Sequence, residues 1–322
     1  MLSALVGVLM LIAALGAWAY VGSLDDDMKR TDAFGELTGD RPPKTVDGSL
    51  NILVLGTDSR DPNADHAAGQ WRTDTIILLH VPSSHDKAYI ISLPRDLWVD
   101  IPKTKDGRGG GKAKLNAAYA WGGPSLMVKT VEQYTQVRID HIAIVDFWGF
   151  KRVVKAVGGV HMCVETPPGQ DSFQSIHPPY RTFKKGCYTL DEEAALDYIR
   201  QRKQFPEGDF ARMRHQQQFL KALMDKATSL EVFTSPKAMS GFMRGVTQAV
   251  TVDENFSLLD MAIQFRKLRS DDLVFMTSPH LGTDTIDGQS VVVSDDEKAA
   301  SLYAAVREDR VADWVKKNPP KK

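Results

Sequence analysis

Two arginines and two carboxylates flank a pair of apolar segments within residues 71–99: Arg72, Asp74, Arg95 and Asp96. The β-branched content of the segments and the turn-rich link between them predict a β-hairpin. In an antiparallel pair, the start of the first strand and the end of the second lie at one edge, so we expect the four side chains to meet there. Guanidinium groups bind phosphate oxygens in bidentate fashion, which makes this edge a candidate phosphate site. Structural ion pairs that cap the strand ends are the alternative.

A second set of arginines follows about a hundred residues later. Arg200 and Arg202 stand one residue apart at the end of a predicted helix, and Asp209 is expected to cap the next helix. Asp209, Arg212 and Gln216 then share one helix face. An arginine pair at a helix end often serves as a solvated cap that favours the helix dipole. Together with Arg72 and Arg95, however, the pair predicts several guanidinium groups converging on a pyrophosphate.

A carboxylate near the first predicted strand adds a candidate metal ligand. The apolar run 52–55 ends at Gly56, and Asp58 follows on the loop. If this strand runs parallel to the second hairpin strand, Asp58 emerges at the same edge as Asp74. Two carboxylates, completed by waters and a phosphate oxygen, are a typical Mg²⁺ site, so we expect Asp58 and Asp74 to share Mg²⁺ or Mn²⁺.

The composition is that of an ordinary globular protein. The 322 residues are 43% hydrophobic and 25% charged, with a formal net charge of −1. This balance gives no support to a nucleic-acid partner. Strand and helix patterns alternate between about residues 98 and 164, which predicts a layered α/β domain. The sequence contains no nucleotide-binding glycine motif and no nucleophile-elbow motif.

The N-terminal segment predicts a membrane anchor. Residues 2–21 are apolar without a single charge, about the length that spans a bilayer. A cleavable signal peptide is the alternative. We therefore expect a transmembrane anchor over 1–22, a linker over 23–48, an external domain over 49–312 and a polar tail over 313–322.

Two cysteines, Cys163 and Cys187, bracket a turn-rich segment. Outside the cell such a pair is expected to form a disulfide that contributes about 3 kcal/mol, with two buried free thiols as the alternative.

An ordered series of motifs gives the chain a family resemblance. NILVLGTDSR, RTDTIILLHV, ISLPRDLWVDIP, KLNAAYAWGG, VDFWGFKRVVKAVGGV, LDYIRQR and GDFARMRHQQQFL occur in this order between residues 51 and 220. The series resembles the LytR-CpsA-Psr family, over roughly residues 50–228. The cysteine pair resembles a disulfide of actinobacterial members.

The resemblance implies a cell-surface phosphotransferase. Family members move a glycopolymer from a polyprenyl-pyrophosphate carrier to peptidoglycan and form a phosphodiester. It also implies an α/β/α layered fold with a central mixed sheet and a hydrophobic groove for the polyprenyl tail. Carried over by position, the pyrophosphate-binding residues are Arg72, Arg95, Arg200 and Arg202 assisted by Gln216, the metal-associated acids are Asp58 and Asp74, and the further pocket residues are Lys114 and Asp209. Arg212, on the same helix face as Asp209, is a further substrate-binding candidate.

Two other function classes are open on these residues. A membrane-tethered protein that binds lipid-pyrophosphate glycans without catalysis needs the same arginines but no shared metal. A pyrophosphatase uses water as the acceptor. For the transferase, Asp209 and Asp74 are the candidate general bases.

Overall fold

The computed structural model describes residues 22–35, 37, 41–59, 71–229 and 236–319. The strands are β1 (Lys29–Thr31), β2 (Leu50–Thr57), β3 (Thr73–Val81), β4 (Ala88–Ser92), β5 (Trp98–Ile101), β6 (Gly111–Lys114), β7 (His141–Val145), β8 (Val160–Val164), β9 (Ser172–Gln174), β10 (Thr182–Lys184), β11 (Gly186–Leu190), β12 (Val250–Asp253), β13 (Leu273–Thr277), β14 (His280–Ile286) and β15 (Gln289–Ser294). The helices that we number are α1 (Leu115–Thr135), α2 (Phe147–Ala156), α3 (Glu192–Tyr198), α4 (Asp209–Ala227), α5 (Pro236–Thr247), α6 (Leu258–Phe265), α7 (Asp296–Arg307) and α8 (Val311–Lys317).

A central mixed sheet organises the fold. Its strand order is β1-β12-β7-β2-β3-β4-β13. The predicted hairpin is β3 and β4, which pair antiparallel, and β2 pairs antiparallel with β3 and parallel with β7. The predicted α/β class with a central mixed sheet is confirmed.

Successive side chains of β2 point to opposite faces of the sheet and are packed on both. Leu53 and Leu55 pack into the main core, which α1 and α7 cover, whereas Ile52 and Val54 pack on the opposite face with Met261 of α6. Because side chains of a strand point alternately to the two faces, a continuous apolar run in β2 needs cover on both sides. Helices therefore lie on either side of the sheet.

Three strand ends meet at one edge. Gly56, near the end of β2, pairs with Thr75 near the start of β3, and Ser92 at the end of β4 pairs with Ile77. β2 and β4 therefore run in the same direction on either side of β3. The edge carries Asp58, Asp74 and Arg95, as expected from the sequence.

The segment 23–48, expected to be a linker, is largely packed against the domain. β1 pairs with β12, and Leu24 and Met28 are buried in a small cluster beside β12. Arg41 binds Glu132 of α1 at 2.6 Å. The sequence hides this packing because the few apolar residues lie among charged ones without a period of two or 3.6 residues.

The C-terminal end of the domain differs from the expected boundary, and the predicted N-terminal anchor cannot be compared with the structure. Helix α8 runs across residue 312, where we expected the domain to end, and Trp314 packs against the main core. The predicted anchor over residues 2–21 lies outside the described residues. Among those that are described, no helix combines the length and apolar content that crossing a bilayer requires.

The predicted disulfide is present. Cys163 of β8 and Cys187 of β11 are bonded and are partners in the antiparallel pair of these two strands. β8 therefore belongs to this separate pair and not to the central sheet. Residues 164–186, between the two cysteines, form a connecting segment that we call the excursion. It contains the short antiparallel pair of β9 and β10.

Candidate active site

Backbone hydrogen bonds fix the first arginine at the edge of the sheet. The segment after β4 is held by Asn116 N–H, which donates to the carbonyl of Arg95 at 3.0 Å, and by Val292 N–H, which donates to the carbonyl of Asp96 at 2.8 Å. Arg95 thereby points back across the edge and donates a hydrogen bond to Asp74 Oδ1. The hairpin thus joins its two charged ends directly.

Asp209 connects the two arginine sets predicted from the sequence. Its Oδ1 lies 3.0 Å from Arg202 Nη1 and 3.3 Å from Arg212 Nη1. Its Oδ2 lies 3.4 Å from Arg95 Nε. Arg212 also donates to the backbone carbonyl of Asp74 at 3.4 Å. Residues from β3, the loop after β4, the segment after α3 and the first turn of α4 therefore form one cluster.

The start of α4 differs in detail from the expectation. The residue that caps the helix is Gly208, with φ of 55° and ψ of −116°, and Asp209 is the first helical residue. Glycine accepts this positive φ without the steric cost that other residues incur. A carboxylate in the first turn is favoured by the helix dipole, which helps to hold Asp209 among the arginines.

Charge and burial act in opposite directions within the cluster. Burial acts to raise the pKa of Asp209, but the charges of Arg212, Arg95 and Arg202 outweigh it, so this pKa lies below its usual value. Burial lowers the pKa of Arg212, and the nearby Asp209 offsets only part of this effect. For Arg95 the burial effect is outweighed by Asp209, Asp74 and Asp96, which raises the pKa.

Two donors in the cluster lack hydrogen bonds. Within the described part of the chain, the buried Nε atoms of Arg95 and Arg212 donate no hydrogen bond of good geometry, although Arg95 Nε has carboxylate oxygens of Asp209 and Asp96 at 3.4 Å and 3.5 Å. A buried donor without an acceptor costs about 1–3 kcal/mol, so such groups commonly mark where a ligand binds. An anion between these two arginines could accept from both.

The cluster lies at one side of a cavity of about 540 Å³. Asp74, Arg95, Arg200, Arg202, Arg212 and Gln216 all line it. Arg200 stacks its guanidinium 4.4 Å from the ring centre of Phe147, at the start of α2. The sequence-based expectation that these side chains share one cavity agrees with the geometry.

Most of the remaining cavity wall is apolar. Its side chains come from both the central sheet and the surrounding helices: Val54, Ile77, Phe150, Leu196, Ile199, Phe219, Leu223, Val246 and Val250. A volume of this size with aliphatic and aromatic walls fits a hydrocarbon chain. The cavity lining therefore includes both cationic and apolar side chains, which suit a lipid with an anionic head group.

Four predicted site residues do not line this cavity: Asp58, Arg72, Lys114 and Asp209, of which Asp209 contacts the arginines that do. The side chain of Arg72 is exposed, and its backbone N–H donates to Asp58 Oδ1 at 3.0 Å. Lys114 Nζ lies 3.4 Å from Asp96 Oδ1, and Asp96 Oδ2 lies 3.5 Å from Arg95 Nε. Lys114 is therefore linked to the cluster through Asp96.

The carboxylates of Asp58 and Asp74 fit a divalent cation that is bound together with an anion. Each uses one oxygen, Oδ1, in a hydrogen bond, to Arg72 N–H and to Arg95 respectively. Mg²⁺ is usually bound by one or two carboxylates and completed by waters and phosphate oxygens. Within the residues that the structure describes, no group of three or more His, Cys, Asp or Glu side chains could hold a metal ion. The donor set thus suits a metal that arrives with a phosphate ligand.

Sequence reasoning missed several residues that line the cavity. Lys203 and His177 contribute polar side chains, and Val246 and Val250 complete the apolar wall. Lys203 directly follows Arg202 and could have been included on that basis. The others come from segments without a charge pattern, so no local signal distinguishes them.

Comparison with a family model and with curated proteins finds similarity over most of the chain. Residues 20–308 match the model of the LytR_cpsA_psr family. The "Probable cell wall biosynthesis protein LcpB" of Corynebacterium glutamicum is 31% identical over 310 residues, 93% of this chain and 68% of that protein. The "Polyisoprenyl-teichoic acid--peptidoglycan teichoic acid transferase TagU" of Enterococcus faecalis is 33% identical over 230 residues, 70% of this chain and 69% of that protein.

Solved structures agree at the level of the fold. The crystal structure of Bacillus subtilis TagV superposes with a TM-score of 0.65 at 27% sequence identity. The match covers 82% of this chain and 98% of that one. The overall fold is therefore shared with a solved protein over nearly its full length.

Proposed function

Because the chain belongs to the LytR_cpsA_psr family, we propose that it transfers a glycopolymer from a polyprenyl-pyrophosphate carrier to peptidoglycan and forms a phosphodiester link. The observation that carries the proposal is the position of the Asp209 arginine cluster at one side of an apolar cavity. A polyprenyl pyrophosphate that carries a glycan has a dianionic head and a hydrocarbon tail. The cavity matches both parts.

The arginines would bind the pyrophosphate and stabilise the charge that develops on it. Arg95, Arg202 and Arg212 surround Asp209, and a pyrophosphate would supply the acceptors that the buried Nε atoms of Arg95 and Arg212 lack. Phosphoryl transfer depends mainly on positioning and on electrostatic stabilisation of the transition state. Each such donor is typically worth about 3 kcal/mol in a site of this kind.

Asp58 and Asp74 would hold Mg²⁺ or Mn²⁺. When bound, the ion would neutralise charge on the phosphate oxygens. Asp74 also receives the hydrogen bond of Arg95, so it would join the metal to the guanidinium cluster. Gln216, which lines the cavity, would add a neutral contact to the pyrophosphate, and Lys114 would act on the arginine cluster through Asp96.

The bond changes follow from this arrangement. An acceptor hydroxyl of peptidoglycan attacks the phosphorus nearest the sugar, and the bond from that phosphorus to the bridging oxygen breaks. The bridging oxygen keeps the electron pair, and polyprenyl phosphate leaves. The apolar walls contributed by Phe150, Phe219 and Leu223 would retain the tail during the transfer.

We also propose where the protein acts. Residues 1–22 would anchor it in the membrane as a single span, with the domain on the extracytoplasmic side, where peptidoglycan and an oxidised cysteine pair are both expected. The disulfide between Cys163 and Cys187 supports this location.

The test is glycan transfer by the full-length protein reconstituted in vesicles that contain a lipid-pyrophosphate glycan, with peptidoglycan as acceptor and Mg²⁺ present. The proposal predicts glycan joined to peptidoglycan through a phosphodiester, and a loss of product with chelator. Release of free glycan phosphate with no joined product would indicate a pyrophosphatase. Lipid binding that persists in chelator while no product forms would indicate a binding protein.

A further inference from the structure

Helix α6 carries apolar side chains on both its inner and its outer face. Leu258 and Met261 are buried against the domain, whereas Leu259 and Ile263 have exposed fractions of 38% and 47%. Leu259 and Ile263 stand four residues apart, so they lie next to each other on one face of the helix. A helix that is apolar on all sides is normally covered on all sides. The outer face of α6 therefore calls for a contact outside the domain.

The other large apolar side chains that are exposed do not form such a pair on a helix. Within the residues whose side chains the structure describes, they are Trp148, Ile176, Tyr180 and Leu281. Trp148 stands alone on α2, Leu281 is on β14, and the other two belong to the loop between β9 and β10. Single exposed apolar residues need no explanation, whereas neighbouring ones on one helix face indicate a contact surface.

This outer face lies close to the end of the proposed membrane anchor. Residues 22–26 are helical, and Asp25 Oδ1 accepts a hydrogen bond at 2.9 Å from the backbone N–H of Leu258, the first residue of α6. Leu24 packs with Leu258 in the small cluster beside β12. Because four residues of chain span at most about 14 Å, Asp25 holds the start of α6 near the last residue of the apolar segment 2–21.

The charges around the outer face are mixed in sign. Arg266, Lys267 and Arg269 are exposed directly after α6, and Asp26, Asp27 and Asp260 are exposed in the segment that caps the helix and in its first turn. Opposite charges in similar number give little net attraction to a charged surface. The apolar pair would therefore carry the contact, and the partner that it fits is a lipid surface with or without anionic head groups.

The clusters beneath α6 continue into the wall of the cavity. Met261 belongs to the cluster against which Val54 packs, and Val54 lines the cavity. Leu258 belongs to the cluster against which Val250 packs, and Val250 lines the cavity as well. Because interiors are close-packed, these contacts join α6 rigidly to the apolar part of the cavity. A surface that binds α6 thereby fixes the orientation of the cavity towards it.

We propose that Leu259 and Ile263 of α6 dock in the interface of the bilayer beside the anchor. The inference rests on the proposed membrane location and adds the surface by which the domain meets the lipid. A single span lets a domain turn about its junction with the anchor, whereas a second contact selects one orientation. Because the anchor already keeps α6 near the bilayer, a small apolar contact is sufficient. Docking holds the apolar part of the cavity close to the membrane that contains the tail of the carrier.

The first experiment places a fluorescent label on α6 of the full-length protein in vesicles. Cys163 and Cys187 are bonded to each other and are the two cysteines of the sequence, so the label reacts only with an introduced cysteine, in Leu259→Cys or Ile263→Cys. Leu281→Cys is the matched control, because Leu281 is 73% exposed on β14. The partner strand β15 packs through Val292 into the main core, on the side of the sheet opposite to α6.

Lipids that carry a nitroxide near the head group quench only labels that enter the interface. We expect them to quench the labels at positions 259 and 263 at least about three-fold, and the label at position 281 by less than about 1.2-fold. The quenching should be the same in vesicles of phosphatidylcholine and in vesicles that also contain phosphatidylglycerol.

The second experiment measures transfer by a variant that combines Leu259→Asn with Ile263→Asn. We expect KM for the carrier in vesicles to rise about 10-fold with kcat unchanged, and KM for the carrier in detergent micelles to stay within about two-fold of wild type. The micelle assay also shows that the variant is folded. Leu281→Asn, the matched control, should change neither value.

Several results would overturn the inference. Equal quenching at positions 263 and 281 contradicts it, and so does an unchanged KM of the double variant in vesicles. A disulfide between two copies of unlabelled Ile263→Cys, without quenching by lipid, would show that a second copy covers this face. Full-length protein that does not stay with the vesicles would refute the proposed location and this inference together.

The inference and the proposed transfer reaction can fail separately. Wild type that forms no joined product would refute the transferase, whereas quenching at positions 259 and 263 would still support the docking. Normal transfer by a wild-type protein whose α6 labels are not quenched would remove the inference alone.

Discussion

Arg202 Nη1 donates a hydrogen bond to Asp209 Oδ1 at 3.0 Å and so joins the segment after α3 to the first turn of α4. The same carboxylate approaches Arg212 and Arg95. Asp74 and Asp96 also neighbour Arg95, so these three arginines face three carboxylates, and Arg200 and Lys203 on the cavity wall add an excess of positive charge. Such an excess favours an anionic ligand and is costly without one.

Removal of that counter-ion should disturb the cluster without removing any phosphate contact. We expect Asp209→Asn to lower transfer about 10- to 100-fold, because Arg95, Arg202 and Arg212 lose the charge that keeps them together. The measurement is initial transfer rate at saturating carrier. Asp260→Asn is a suitable control, since Asp260 is an exposed residue of the first turn of α6. Equal rates for wild type and Asp209→Asn would contradict this role.

The same residue predicts a pH dependence of stability. The pKa of Asp209 is lower in the folded protein than in the unfolded chain, so its stabilising contribution is present above the unfolded value of about 4 and is lost as pH falls through the folded value. Urea unfolding of Asp209→Asn should therefore show a shallower loss of stability below about pH 4 than wild type. An unchanged slope would contradict the assignment.

His215 of α4 predicts a second loss of stability on acidification, one that begins at a higher pH than that of Asp209. It is fully buried, its ring stacks on Tyr198 at 4.5 Å, and burial together with Arg214 lowers its pKa to about 3. Below about pH 6.5 the unfolded chain takes up a proton that the folded protein does not, so stability falls as pH decreases from about 6.5 towards 3.

We expect His215→Phe to remove this part of the acid sensitivity, because phenylalanine can keep the contacts with Tyr198 and Phe205. At pH 4 the gain over wild type, relative to pH 7, should be about 3 kcal/mol in the free energy of unfolding. His161→Gln, which changes an exposed histidine, should leave the pH dependence unchanged. A variant with the slope of wild type would show that His215 is not buried in its neutral form.

Substitution of Arg41 tests whether the N-terminal segment is packed against the domain. It donates to both carboxylate oxygens of Glu132, at 2.9 Å and 2.6 Å, and Glu132 is 3% exposed. Removal of one partner of a buried pair leaves an uncompensated charge and typically costs 3–5 kcal/mol. We expect Arg41→Ala to lose about this much free energy of unfolding.

Lys44→Ala is the matched control, because Lys44 pairs with Asp140 at 2.8 Å with a third of its side chain exposed. Its loss should stay below about 1 kcal/mol. If Arg41→Ala and Lys44→Ala lost an equally small free energy of unfolding, residues 41–48 would not be packed against α1 and β7.

Metal binding can be measured apart from turnover. We expect Mn²⁺ to bind the wild-type protein together with a pyrophosphate ligand, and we expect Asp58→Asn or Asp74→Asn to weaken this binding at least 10-fold. Calorimetry or the electron paramagnetic resonance signal of free Mn²⁺ gives the affinity. Asp100→Asn, an exposed strand residue, is the control. Equal Mn²⁺ affinity in all variants would exclude the proposed ligands.

The cationic part of the site was predictable from the sequence because its positions follow from strand pairing. Once β3 and β4 form a hairpin, Asp74 and Arg95 must share an edge, and β2 brings Asp58 to the same edge. The face of α4 that carries Asp209 and Arg212 follows from the helix period. These are local rules, and they hold without knowledge of the whole fold.

The parts that could not be predicted depend on long-range packing. β12 enters the central sheet between β1 and β7, although its four residues carry no distinctive pattern. The apolar wall likewise takes Val246 and Val250 from this distant part of the chain. His177 lines the cavity from the excursion between Cys163 and Cys187. Nothing in the sequence around it specifies that position.

The most direct test of the central claim is the transfer rate of Arg202→Ala beside Arg266→Ala. Arg202 binds Asp209 at the cavity, whereas Arg266 is exposed at the end of α6. Loss of one preorganised donor to the transition state commonly costs about 100- to 1,000-fold in kcat. We expect a loss of this size for Arg202→Ala and none for Arg266→Ala, in the vesicle assay with lipid-pyrophosphate glycan and peptidoglycan. Near-normal turnover by Arg202→Ala would contradict the assignment of the cluster as the pyrophosphate site.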